Sequence, residues 1–178
     1  VKALASFIRG VDAFNEWLGR YIAWLTLATV LICFAVVVLR YVFSTGIIWL
    51  QEAYVWTHAI VFMVGAGYTF LHGGHVRVDI VYGNLGPRRR AWIDIIGTFL
   101  FLVPFLWVVA RYSGQFITSS WLIRETTDQP GGIRQLYLLK TVIWLFVGVV
   151  GIQGAALVAR RALYLLGREE FAPEAVGH

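Results

Sequence analysis

Apolar and polar positions along this chain segregate into long blocks instead of alternating. Four windows of about twenty residues are almost free of charge, the length a helix rising 1.5 Å per residue needs to cross a bilayer core of roughly 30 Å. Residues 21–39 hold no charged side chain, and 53–71 hold none besides the titratable His58. A third window begins near Ala91, carries Asp94 in its first turn and is charge-free over 95–110; the fourth covers 141–159. Unpaired backbone groups are too costly in hydrocarbon for irregular structure, so each window predicts a helix. The expected fold is an all-α membrane protein, one domain, with four transmembrane helices near 21–43, 49–71, 91–112 and 141–161. Residues 112–123 also read as a continuation of the third helix beyond the membrane.

Ahead of the first span, Leu4, Phe7, Ile8, Val11, Phe14 and Leu18 recur at three- and four-residue spacing, with Lys2, Arg9, Asp12 and Glu16 between them. This period predicts an N-terminal amphipathic helix over 2–18 lying in the membrane interface. The same period also fits a cytoplasmic extension of the first span. Neither a small-residue cleavage site nor a soluble domain follows the first span, so it reads as retained and not as a signal peptide. Residues 72–90 read as a connection, 124–140 as a second connection broken by Pro130, Gly131 and Gly132, and 162–178 as a polar tail.

Composition agrees with burial in lipid. The chain is 59% hydrophobic and 14% charged, where soluble domains run near 45–50% and about 25%. Ordinary soluble and disordered classes are thereby excluded, and a single cysteine, Cys33, leaves no disulfide framework or cysteine-based zinc site. The net charge of +5 gathers at the ends of the apolar runs, a membrane pattern with no nucleic-acid partner implied. With the N-terminus inside, the inner flanks collect Lys2, Arg9, Arg20, Arg77, Arg88, Arg89, Arg90, Arg160, Arg161 and Arg168, against Arg40, Arg111, Arg124, Arg134 and Lys140 outside. The positive-inside rule therefore predicts both termini in the cytoplasm, with the Arg88, Arg89, Arg90 triplet as its strongest determinant. Trp49, Trp56, Trp92 and Trp144 fall near span ends, as an interfacial belt would place them, whereas Trp24 and Trp107 lie deeper and read as packing residues.

The spans offer little chemistry. General acid–base catalysis needs two positioned titratable groups, and the span interiors supply almost none. His58 and His72 stand about 21 Å apart on one helix and cannot ligate one haem together; a haem would have to be shared with another subunit. His72, His75 and Asp79 match no recurrent zinc spacing, and no cofactor or metal is expected. Asp94 follows Arg90 by four residues near a helix start and reads as a cap-like structural carboxylate. Glu52 sits at the same expected interface as Arg40, which suggests a pair closing that corner. Small residues are more informative: Gly148, Gly151, Ala155 and Ala159 in the fourth span, and Gly65 and Gly67 in the second, form faces that let helices approach closely. Gln153 needs an internal hydrogen-bond partner, and together with Gly65, Gly67, Gly148, Gly151 and Ala155 it is a candidate for a helix-packing interface.

Trp49-x-x-Glu52 opens the second span, Gly65-Ala66-Gly67 lies within it, and His75-Val76-Arg77-Val78-Asp79 follows a Gly pair after it. In this order, over roughly 21–165, the chain resembles the small membrane subunit, DctQ-type, of tripartite ATP-independent periplasmic (TRAP) transporters. The resemblance implies a non-catalytic subunit of the bacterial inner membrane that packs against a large permease subunit. It further implies sodium-coupled, elevator-type uptake of a small organic acid delivered by a periplasmic substrate-binding protein, with membrane lipids as the remaining partner. The alternative is a haem b or quinone-binding membrane anchor of a respiratory complex.

Overall fold

The computed structural model describes residues 2–74 and 85–173. Within them the chain is all-α, with four helices long and apolar enough to span a membrane: α1 Lys2–Tyr41, α2 Ile48–Leu71, α3 Pro87–Leu122 and α4 Leu136–Leu165. A 3₁₀ turn, Glu169–Phe171, follows α4.

The separate interfacial helix expected over 2–18 is corrected, because α1 runs unbroken for 40 residues. The stretch contains no proline, so its backbone ladder meets no obligatory break. Its apolar stripe also has a partner inside the protein: Ile8 is 2% exposed and clusters with Ala159 and Leu163 of α4. By rise per residue α1 is about 60 Å long, roughly twice the bilayer core. The N-terminal turns therefore extend the first span instead of lying apart from it.

Local signals set the start of α3 and the end of α4. Pro87 occupies the first turn of α3, where a missing N–H costs nothing. Gly167, at φ 92°, closes α4: its N–H donates to the Tyr164 carbonyl, and the Arg168 N–H donates to the Leu163 carbonyl. Inside α3, Thr98–Leu102 widens into a π turn, and Val103 N–H donates to Thr98 O five residues back. Pro104 follows directly. A proline ring crowds the preceding turn, and a widened turn relieves that clash.

Among the four, α4 is central: α1 and α2 pack on each other and on α4, and α3 packs on α4 from another side. At one end, the terminal end, the start of α1 meets the last turns of α4. The opposite, loop end carries the α1–α2 turn and the connection over 123–135. Much of the remaining surface is apolar. Trp24 is 72% exposed and Trp107 64% exposed, so neither is packed inside this chain's own core.

Candidate functional site

Three arrangements could carry a role: a polar network at the terminal end, a latch at the loop end, and an uncovered stripe on α4. The network starts at Asn15, fully buried on α1, whose Nδ2 donates to Gln153 Oε1 at 2.7 Å. Gln153 Nε2 donates to Asp12 Oδ1 at 3.2 Å, and Arg160 Nη2 donates to the other Asp12 oxygen. One turn away, Arg161 Nε donates to Asp94 Oδ2 at 2.7 Å, with both side chains at most a tenth exposed. Glu16 and His72 share a further contact of 2.8 Å between α1 and the end of α2. Burying amide and charged groups is costly unless they are paired, and here polar groups on one helix find partners on another, with the buried Asn15 Oδ1 left without one among the described residues. Gly67 fits the same junction, since a Cβ there would collide with Val149 and with Asn15.

The loop end is organised by Glu52. Its carboxylate accepts from Thr127 Oγ1 and from the Ile133 N–H, both in the connection between α3 and α4. Gly132 passes so close that a Cβ would lie 2.7 Å from both Glu52 oxygens. Lys140 at the start of α4 donates to Glu125 and stands 3.9 Å over the Phe116 ring. That hydrogen bond holds the Glu125 carboxyl below the usual carboxylate range. Trp121 Nε1 donates to Thr141 Oγ1 at 2.8 Å, tying α3 to α4.

The third arrangement is apolar. Trp144, Gly148, Ile152 and Ala155 fall on one line along α4, and all four are exposed. Their spacing of four, four and three residues keeps them on one helical face.

The sequence candidates distribute over these arrangements unevenly. Gln153 and Gly67 sit inside the chain's own core, and Gly65 has Ile22 at ordinary contact distance from a would-be Cβ, 3.4 Å. Gly151 faces Leu106 of α3 at 3.7 Å, whereas Gly148 and Ala155 are open. The close approach of α3 to α4 is made instead by Gly154, where a Cβ would meet Leu102 of the π turn at 2.6 Å. The Arg40 and Glu52 pair is corrected: Glu52 binds the connection and Arg40 is exposed. Asp94 is corrected from a local cap to one half of an interhelical ion pair with Arg161. Trp49, one turn before Glu52, is 54% exposed. Arg88 and Arg89 are exposed, and Arg90 Nε donates to the Leu85 carbonyl at 2.8 Å. His75, Arg77 and Asp79 lie outside the described residues. Sequence reasoning missed Thr127, Ile133, Gly132, Gly154 and Arg161; the Pro and Gly of the connection marked a turn but carried no sign of where it docks.

Comparison with known proteins places these features in a family context. The family model described as tripartite ATP-independent periplasmic transporters, DctQ component, matches residues 29–168. A curated relative, the C4-dicarboxylate TRAP transporter small permease protein DctQ of Vibrio cholerae, is 32% identical over 124 residues, which is 67% of this chain and 51% of the relative. The chain thus spans about half the length of the curated relative it matches. No solved structure matches it.

Proposed function

Since this chain belongs to the DctQ component family of tripartite ATP-independent periplasmic transporters, we propose that it is the non-catalytic small membrane subunit of such a transporter, packed against a large permease subunit. The observation that carries the reading is the fate of its helical carboxylates. The acidic residues on the four helices are Asp12, Glu16, Glu52 and Asp94. Each is engaged within the chain, by Arg160, His72, the 123–135 connection and Arg161 respectively. An intramembrane carboxylate that couples ions must change partners during the cycle, and a carboxylate locked between helices serves rigidity. The chain acts as a static brace: it enlarges the fixed part of the complex while the large subunit carries a small organic acid inward with sodium by an elevator motion.

The exposed stripe at Gly148, Ile152 and Ala155 is the surface offered to the large subunit, because small side chains let a partner helix approach closely. The latched connection at the loop end faces the periplasm, where a substrate-binding protein docks transiently, and the Arg88, Arg89, Arg90 end faces the cytoplasm. The setting is a bacterial inner membrane. The curated relative's name refers to C4-dicarboxylates; for this chain the class is kept at small organic acids. A haem or quinone anchor is not favoured, since His72 is held by Glu16 and the exposed His58 has no second histidine beside it among the described residues.

The test is reconstitution. Proteoliposomes holding this chain alone should take up no organic acid under a sodium gradient, and adding the large subunit and the binding protein should restore uptake. Uptake by the isolated chain would contradict the proposal.

A further inference from the structure

The terminal end holds a cleft bordered on one side by the Asp12, Gln153, Arg160 and Arg161 network. Its volume is about 400 Å³, inside the roughly 300–1,000 Å³ range of small-ligand sites. Three arginines, Arg9 of α1 and Arg160 and Arg161 of α4, and two carboxylates, Asp12 of α1 and Glu170 of the 3₁₀ turn, line it together with apolar side chains that include Phe70, Leu157 and Phe171; Asp12 is engaged by Arg160, and Arg161 by Asp94. Arg160 commits one nitrogen to Asp12 and keeps further guanidinium donors. Neither the Arg9 nor the Glu170 side chain makes a hydrogen bond or ion pair among the described residues. Both charge signs and an apolar wall thus share one recess, at the level where the apolar run of α2 ends at Leu71.

We propose that this cleft binds the headgroup of an ethanolamine phospholipid. The phosphate lies on Arg9 and Arg160, the ammonium on Glu170, and the glycerol and first methylenes against Phe70, Leu157 and Phe171. Guanidinium groups match phosphate oxygens with several donors, and a carboxylate accepts from a primary ammonium. A choline headgroup has no N–H to donate to Glu170, and a glycerol headgroup brings no cation for it. The apolar half of the lining favours a lipid over a soluble phosphoester, which would leave that half against water.

The proposal rests on the membrane placement argued above, and its test is separate from partner binding. The full chain in mild detergent is offered equimolar ethanolamine, glycerol and choline phospholipids of matched chains, and retained lipid is counted by native mass spectrometry. The ethanolamine lipid should be retained on the order of tenfold over the other two, as expected for one added charge-assisted hydrogen bond. Arg9→Gln should lower retention of that lipid, and Glu170→Gln should remove its advantage over the choline lipid, with helical circular dichroism unchanged in both. Equal retention of the three lipids, preference for the glycerol lipid, or indifference to both substitutions would overturn the proposal. Displacement by equimolar glycerophosphoethanolamine would overturn the lipid assignment in favour of a soluble phosphoester. Loss of lipid preference with uptake by the whole complex intact would sink this inference alone.

Discussion

Asp94 and Arg161 form an ion pair that water hardly reaches, so removing one partner strands the other. Asp94→Ala should destabilise the bundle by about 3 kcal/mol, and Asp94→Leu with Arg161→Met should recover most of that loss. Unfolding in mixed micelles would check both; equal loss in the single and double variants would mean that the pair does not set the cost. Gly132 is a second sensitive residue, because any side chain there meets the Glu52 carboxylate. Gly132→Ala should therefore release the connection, seen as faster amide exchange over 123–135 with the four helices unaffected. The Glu125 and Lys140 contact adds a pH dependence of definite sign. Since folding lowers the Glu125 pKa, its contribution is complete above the ordinary carboxylate value and disappears as pH falls through the lowered one. Amide protection over 123–135, taken relative to the intrinsic exchange rate at each pH, should fall on acidification, and Glu125→Gln should flatten that fall.

At the scale of elements, the stripe on α4 separates two kinds of small residue. Gly148→Leu or Ala155→Leu should weaken association with a large membrane partner and leave this chain's own stability nearly unchanged, because both positions are open. Gly154→Leu should do the reverse, driving into Leu102 of the π turn. Co-purification and unfolding measured on the same variants distinguish the two. This contrast also shows how far the sequence could be read. Charge-free runs of membrane length place four helices, since a long apolar block has few other solutions in lipid. Which face of α4 turns inward depends on docking, and Gly148, Gly151 and Gly154 have the same composition but different neighbours. Likewise, the period over 2–18 locates an apolar stripe without saying whether lipid or the end of α4 covers it. Glu52 meets residues 75 and 81 positions further on, beyond the reach of any local spacing.

For the whole molecule, α4 packs against all three other helices, while polar ties close both ends and apolar side chains cover the sides. Such a body is suited to staying still beside something that moves. Orientation belongs to this scale: neutralising Arg88, Arg89 and Arg90 together should loosen the topology, read as mixed accessibility of cysteines placed at the two ends. The central claim, that the uncovered stripe of α4 rests on a large permease, is tested most directly by a photo-crosslinker placed at Ala155 in native membranes. The account predicts one major adduct, with a multi-span transport subunit. An adduct formed at Phe34 on the outer side of α1, with none at Ala155, would contradict it.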